Sequence, residues 1–332
     1  MSRSPGRRRF ALMLSIVCNL RSLSKIKCSA FSARSELAQV YRDIAQRSND
    51  LNRWPDSENF RKDCLIYDSK SQSYKLPEFH DGHGSLGVFG FLHRNNAARS
   101  ILTACDDVFL QFASDIRSRI LSRTNQEQQA AFTRWLLQSP PTSHHISVAI
   151  LQEHPIFLHD ERNLEKWKPI SDSTIYQLAT SYSSDHPLVI SECPKLQLDS
   201  LLWTPDGALI AGFIDQSSDQ GFEKLRQSSR SIARTVLGDV LTTRPKNLIH
   251  ATVGRVIGLP PGASDEQYQS LTELACQYNQ DILPQTLEAI FSENNHGGAF
   301  TLQELSLARN KIWMMQEYKE YATWSLVDET LS

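Results

Sequence analysis

Two strand-like runs, each carrying a histidine followed two places later by a hydroxyl residue, limit how this chain can fold. The first is SHHISVAIL, Ser143 to Leu151, and the second is LIHATVGRV, Leu248 to Val256. Residues two apart in a strand face the same side, so each run presents an imidazole and a hydroxyl together, with apolar neighbours behind them. Between the runs, KLQLDSLLW and ALIAGFID flank the turn signal TPDG, which predicts a hairpin.

The order of elements predicts an α+β fold with largely antiparallel sheet. Helical spacing of apolar residues predicts helices over 33–49, 97–122, 126–138, 173–182, 220–239 and 265–291, and strand patterns cover 84–93, 145–151, 187–193, 195–203, 208–215, 248–257 and two stretches after 298. Residues 50–83 are polar and are expected to be irregular and to lie on the surface. The chain contains no G-x-G-x-x-G after a strand and no P-loop, which argues against a nucleotide-cofactor fold.

Composition is that of an ordinary globular protein. The chain has 332 residues, of which 40% are hydrophobic and 22% charged, enough for one large domain or two lobes. Its six cysteines are scattered without a C-x-x-C pair, so we expect neither a structural zinc site nor a disulfide framework. The residues suggest no cofactor.

Residues 1–34 have the character of a targeting segment. They contain eight Arg and Lys and no acidic residue, and RRRFALMLSIVCNL combines a basic region with a short apolar run. CSAFSAR resembles the Ala-Phe junction of two-part plastid presequences. We expect an organelle address, plastid or mitochondrion, with secretion or a retained amphipathic helix as alternatives. We expect no membrane association after processing.

The charge of the remaining chain bears on its partners. The formal net charge of −2 becomes −10 once the eight cations of residues 1–34 are set aside. Such a chain lacks the broad basic surface that grips long nucleic acid, so no long duplex partner is expected. A small phosphodiester or an RNA end needs only a local pocket and stays possible. We expect a monomer.

The two runs suit hydrolysis of a phosphodiester. Histidine has an unperturbed pKa of about 6.5, so one of His145 and His250 can accept a proton while the other donates one. Ser147 and Thr252 can donate hydrogen bonds to the non-bridging phosphate oxygens. No metal is required for this chemistry. The sequence does not decide which histidine is the acid and which the base.

These stretches resemble the two-histidine (2H) phosphoesterase superfamily, whose members carry two H-x-[S/T] motifs. PPTSHHISV is similar to its first motif, with Ser147 in place of Thr, and HATVGRV is similar to its second, His-x-Thr-Leu-x-Arg. LDSLLWTPDGALIAGFID resembles the hairpin between the motifs, and the end of the chain resembles the family's closing strands. The resemblance implies a bilobal, pseudo-symmetric domain of antiparallel sheets flanked by helices over 84–328, after an extension over 35–83. It also implies a cyclic phosphodiesterase-like or RNA-end activity with catalytic His145 and His250.

Several alternatives remain open. His144 faces away from His145 and is expected to pack or to bond at a rim, and Arg255 either contacts the substrate weakly or pairs with a carboxylate. HDGH at 80–83 is expected to be a turn rather than a metal site, and HGS at 83–85 a loop. Trp313, Tyr318, Tyr321 and Trp324 offer either base stacking or core packing. The whole cleft is alternatively a non-catalytic module for a phosphate-bearing ligand. A hydrolase with a Ser or Cys nucleophile lacks the G-x-S-x-G context.

Overall fold

The computed structural model describes residues 30–58, 61, 65–70, 73–79, 83–122, 129, 131–154, 165, 167–183, 193–218, 220–238, 248–293, 297–312 and 315–326. The helices are α1 (Ala30–Asn49), α2 (Asn96–Asp115), α3 (Asp172–Ser183), α4 (Gly221–Leu237), α5 (Asp265–Gln277) and α6 (Leu283–Glu293). The strands are β1 (Ile66–Asp68), β2 (Ser73–Lys75), β3 (Leu86–Phe91), β4 (Leu136–Gln138), β5 (His145–Gln152), β6 (Lys195–Trp203), β7 (Ala208–Asp215), β8 (His250–Val256), β9 (Ala299–Thr301), β10 (Glu304–Ile312) and β11 (Glu317–Ser325).

The strands form two larger sheets and one small hairpin. The first sheet has the order β11-β10-β3-β5, the second has the order β4-β8-β7-β6-β9, and β1 pairs with β2. Every pairing between these strands is antiparallel. The chain is therefore an α+β protein, as the order of elements predicts.

The two larger sheets follow the same plan outward from the histidine strands. In the first sheet β5 pairs with β3, which pairs with β10, and in the second sheet β8 pairs with β7, which pairs with β6. The three-residue strand β4 is added on the other side of β8 and pairs only with its second half, Gly254–Val256. The first half of β8 therefore faces the neighbouring sheet.

One hydrophobic core joins the inner faces of both sheets with the helices between them. Asn95 caps the start of α2, where its side chain accepts a hydrogen bond from the Ala98 amide. It buries Phe109 and Phe112 in this core. The helix α5 begins with the predicted capping box, in which Ser264 and Gln267 cap each other's backbone amides.

Two sequence expectations are wrong in the described residues. Leu136–Gln138 is a strand rather than the end of a helix, because this segment pairs with β8. The stretch 50–83 contains the β1–β2 hairpin and is not confined to the surface. Trp54 is fully buried, its ring lies 5.4 Å from that of Trp203, and its indole NH donates to the Thr204 carbonyl.

The helix α1 begins at Ala30, inside the predicted targeting segment. Residues 1–29 lie outside the described residues, so the organelle address stays a prediction. The segment 187–191 of the predicted strand PLVISEC also lies outside them. None of the helices in the described part of the chain has the length and apolar character needed to cross a membrane.

Candidate functional site

The first motif strand, β5, carries His145 and Ser147 on the face that points away from the main core. Phe91 and Phe89 of β3 are their cross-strand partners and therefore share this face. The His145 ring lies 5.0 Å from the Phe89 ring and 6.1 Å from the Phe91 ring. Ile146 and Val148, between and beyond the motif residues, are completely buried in the core.

A backbone carbonyl fixes the orientation of His145. Its Nδ1 lies 2.7 Å from the carbonyl oxygen of Ser143, which can only accept a hydrogen bond. Nδ1 must therefore carry a proton, and in the neutral ring the lone pair is on Nε2. The ring can accept a proton at Nε2 when neutral and donate one from the same atom when charged. The side chain is partly buried.

The second motif strand, β8, carries His250 and Thr252 in the same relation. Their partners on β7 are Gly212 and Ile210, and all four share one face. The helix α1 lies on this face, with the Tyr41 ring over Gly212. A Cβ atom at Gly212 would lie 2.7 Å from that ring, so the absence of a side chain there makes room for it.

Tyr41 also ties α1 to the backbone beside His250. Its hydroxyl lies 2.6 Å from the carbonyl oxygen of Ile249 and 3.2 Å from that of Phe213. Burial raises the pKa of Tyr41 far above its usual value, so the hydroxyl stays protonated and acts as the donor. The extension before residue 84 thus builds one wall of the candidate site.

A β-bulge follows the motif in each strand. In β5, Ser147 pairs with Phe89 and Ala149 with Val88, which leaves Val148 as the extra residue. In β8, Thr252 pairs with Ile210 and Gly254 with Leu209, which leaves Val253 as the extra residue. The bulge is therefore at the third residue after the motif histidine in both halves of the molecule.

The bulge reverses the face on which strict alternation would place Arg255. Strict alternation places this residue opposite His250, but after the bulge it pairs with Ala208, which shares a face with Ile210. Arg255 therefore lies on the face of Thr252 and His250. Its guanidinium makes an ion pair of 2.6 Å with Asp206 and donates to the Asp206 carbonyl. A role for Arg255 in substrate binding stays a prediction.

The ion pair also lowers the pKa of the Asp206 carboxyl. Burial favours a higher pKa for this carboxyl, but the Arg255 charge and a hydrogen bond from Thr204 outweigh it and lower the pKa. Asp206 therefore remains charged at neutral pH, and the pair closes the TPDG turn against the end of β8.

The two motif strands run beside each other although they belong to different sheets. Their Cα atoms approach within 8 Å. The amide of Ser139, just after β4, donates to the Val253 carbonyl at 3.0 Å, and the ring of His144 also makes a hydrogen bond to the Val253 backbone. His144 precedes His145 and Val253 follows Thr252. These contacts therefore align the first motif along β5 with the second motif along β8.

His144 itself is buried on the opposite side from His145, as alternation predicts. It is 2% exposed, and its Nε2 lies 3.5 Å from Oδ1 of Asp106 on α2. Burial lowers the pKa of His144 to about 4, and burial raises the pKa of Asp106 to about 7. Sequence reasoning did not find Asp106, because only the packing of α2 against β5 and β8 brings it here.

Beyond Phe91, the first sheet continues this face with a charged network. The Tyr318 ring stacks on Phe91 at 4.4 Å. Arg94 donates to Glu304 at 2.7 Å and to Glu320 at 2.6 Å, so its charge is neutralised by two carboxylates. This network and the aromatic rings border His145 on one side.

The structure places the remaining candidates, the other late aromatic residues and the HDGH stretch, away from the motif histidines or outside the described residues. Trp324 stacks on Tyr182 at 4.9 Å, and Tyr321 donates to Asp172 at 2.6 Å. Trp313 and residues 80–82 of HDGH lie outside the described residues, and the ring of His83 lies 5.3 Å from that of Trp167. In the described part of the chain, no group of three or more His, Cys, Asp or Glu side chains is suited to hold a metal ion.

No protein-family model matches this sequence, and a search of curated proteins found no match. Among solved structures, a conserved protein of unknown function from Agrobacterium tumefaciens is similar, with a TM-score of 0.35 and 14% identity over 80% of this chain and 97% of that chain. A likeness of this strength carries no argument about fold or function.

Proposed function

We propose that this chain hydrolyses a cyclic or linear phosphodiester on a nucleotide or an RNA end, without a metal, as a 2H phosphoesterase would. One observation carries the proposal: two H-x-[S/T] motifs lie on neighbouring strands of different sheets, each with its histidine and hydroxyl on one face and a bulge directly after them. A structural histidine gives no reason for this repeated arrangement.

The chemistry assigns one step to each imidazole. A neutral imidazole takes the proton of a water molecule whose oxygen attacks phosphorus. The bond from phosphorus to the leaving oxygen breaks, and an imidazolium gives its proton to that oxygen. The His145 ring, held through Nδ1 by the Ser143 carbonyl, is oriented for such a transfer at Nε2. The hydroxyls of Ser147 and Thr252 would donate to the non-bridging oxygens.

The substrate would be small or a chain end. Residues 35–332 carry an excess of acidic groups, and Arg94 and Arg255 on the motif faces already pair with carboxylates. A long duplex would find little to neutralise its phosphates here. A single phosphodiester needs only the imidazoles and hydroxyls.

The test measures hydrolysis of a 2′,3′-cyclic nucleotide and of a short RNA with a 2′,3′-cyclic phosphate end, in EDTA, with the full chain. We expect turnover with a bell-shaped pH profile, and a loss of about 10²–10⁴-fold in kcat for His145→Asn and for His250→Asn, because each removes one proton transfer. His154→Asn is the control, since the His154 ring lies 4.2 Å from that of Phe79, just beyond the far end of β5.

Full activity of either motif variant would contradict the proposal. Binding of the nucleotide without turnover, unaffected by His145→Asn and His250→Asn, would instead support a non-catalytic module for a phosphate-bearing ligand.

A further inference from the structure

The junction between the two motif strands contains no strand ladder. Within the described sheets β5 pairs with β3, and β8 pairs with β7 and, in its second half, with β4. No backbone ladder between β5 and β8 is present there to fix the position of His145 relative to His250. Groups that bridge β5 and β8 beside the two motifs are therefore needed to fix the position of His145 relative to His250.

His144 is such a bridge. It precedes His145 directly, its own carbonyl accepts from the Leu92 amide at 2.9 Å, and its ring reaches the Val253 backbone at the bulge of β8. Since Nε2 faces Asp106, Nδ1 is the nitrogen directed at Val253. One buried side chain therefore connects the first motif, the second motif and α2.

Asp106 lies beside Nε2 of this ring, and neither Oδ1 of Asp106 nor Nε2 of His144 has another hydrogen-bond partner in the described residues. Its Oδ1 lies 3.5 Å from Nε2 of His144, and Gln138 of β4 donates to the same carboxyl group. If Asp106 is protonated, the neutral carboxyl faces a neutral His144 ring. If Asp106 is ionised, it faces a positively charged His144 ring. In both cases the pair carries no net charge. A neutral pair is compatible with a site from which water is largely excluded.

We infer that His144 is a positioning residue of the proposed site, which holds the two H-x-[S/T] motifs in register by connecting β5 to the Val253 backbone while Asp106 fixes its ring. This inference rests on the proposed function for its kinetic readout and has a structural readout of its own. A histidine that only filled space would be replaced without effect on His250 by any residue of similar size.

The experiment compares His144→Leu, which keeps bulk but removes the donor, with His144→Asn, which keeps a donor near the place of Nδ1. For His144→Leu we expect kcat to fall by about 10–100-fold, since a displacement of about 1 Å in a reacting group has costs of this size. His144→Asn should stay within about fivefold of the parent, because the amide replaces the lost donor. His154→Leu, at a partly buried histidine just beyond the other end of β5, should leave kcat unchanged.

Nuclear magnetic resonance of the histidine rings gives the structural readout. In His144→Leu, the ring signals of His250 should shift although the two residues lie on different strands, and His144→Asn should restore them. Unchanged His250 signals and kcat in a folded His144→Leu protein would overturn the inference. An equal loss in the Asn and Leu variants would overturn it as well.

Two outcomes separate this inference from the proposed function. Absence of turnover in the unaltered protein counts against the proposed function, and the ring signals then decide the positioning role alone. If His144→Leu does not fold, Asp106→Asn takes its place, because it releases the ring without removing it. We expect Asp106→Asn to shift the His250 signals, and unchanged signals would overturn the inference.

Discussion

The strands β5 and β8 have the same backbone design in different surroundings. Each carries a histidine and a hydroxyl residue on one face, followed by a bulge at Val148 or Val253. Beside His145 the neighbouring strand supplies the aromatic ring of Phe91, whereas beside His250 it supplies Gly212, over which the separate helix α1 places Tyr41. The residue before the histidine is polar in one strand, His144, and apolar in the other, Ile249; both are buried.

This difference shows which features the site geometry requires. The shared features are those that direct the imidazole and hydroxyl, and they depend on the strand period and the bulge. The unshared features are those that support the strand from behind or from the side, and each half achieves this with different residues. The first half therefore contains the titratable junction, and the second half depends on a helix from the start of the chain.

The largest effect in this comparison is expected from removing the motif hydroxyls. Ser147→Ala and Thr252→Val should each lower kcat by about 10²-fold, because each deletes one donor to the non-bridging phosphate oxygens, which carry negative charge in the transition state. Steady-state kinetics on the 2′,3′-cyclic nucleotide measures this. Ser306→Ala is the control, since Ser306 lies on the same face as Ser147 but bonds Arg94 at 2.9 Å. A loss in only one of the two variants would mean that only one half holds the phosphoryl group.

A smaller effect is expected from filling the space that Gly212 leaves. Gly212→Ala would place Cβ 2.7 Å from the fully buried Tyr41 ring, and such overpacking should lower the free energy of unfolding by about 1–3 kcal/mol. Gly90→Ala is the matched control in the first sheet, where Cβ would lie 2.5 Å from a methyl group at the end of the Leu302 side chain. Because the end of the Leu302 side chain can move, Gly90→Ala should lower the free energy of unfolding by less than Gly212→Ala.

A double-mutant cycle identifies the cause of the Gly212 effect. In a Tyr41→Leu background, Gly212→Ala should cost less, because the ring it would strike is gone. Denaturant unfolding of the four proteins gives the coupling energy. Additive costs would show that Tyr41 is not what requires glycine at this position.

Sequence reasoning predicted the motif strands and the faces of their side chains because period-two alternation is a local property. It could not predict the bulges, since Val148 and Val253 have no side-chain feature that distinguishes them from neighbouring strand residues. For this reason strict alternation alone would place Arg255 on the face opposite His250. β4 was assigned to a helix because its three residues become a strand only by pairing with β8. The contact of Asp106 with His144 joins a helix to a distant strand, and no local pattern contains it.

The last effect is a pH dependence, expected from the pair that only the first half contains. The pKa of Asp106 is raised from 3.8 to about 7, so its protonated form stabilises the fold fully below pH 3.8, and this contribution is lost as the pH rises through about 7. The pKa of His144 is lowered from 6.5 to about 4, so stability is lost as the pH falls through the same range. The two contributions oppose each other in the native protein.

The variant Asp106→Asn removes the contribution of Asp106 to the pH dependence of stability and keeps that of His144. Relative to the unaltered protein, this variant should gain about 1 kcal/mol of unfolding free energy per pH unit as the pH rises from 4 to 7, because the folded protein no longer has to ionise a buried carboxyl. Denaturant unfolding across that pH range measures the difference between the two proteins. The other groups that act on the pair are Gln138, His93 and Asp107. Asp107→Asn, at an exposed neighbour on α2, is the control. If the Asp106→Asn difference is constant with pH, the pair does not exchange protons with solvent in this range, and the two halves of the site do not differ in their sensitivity to pH.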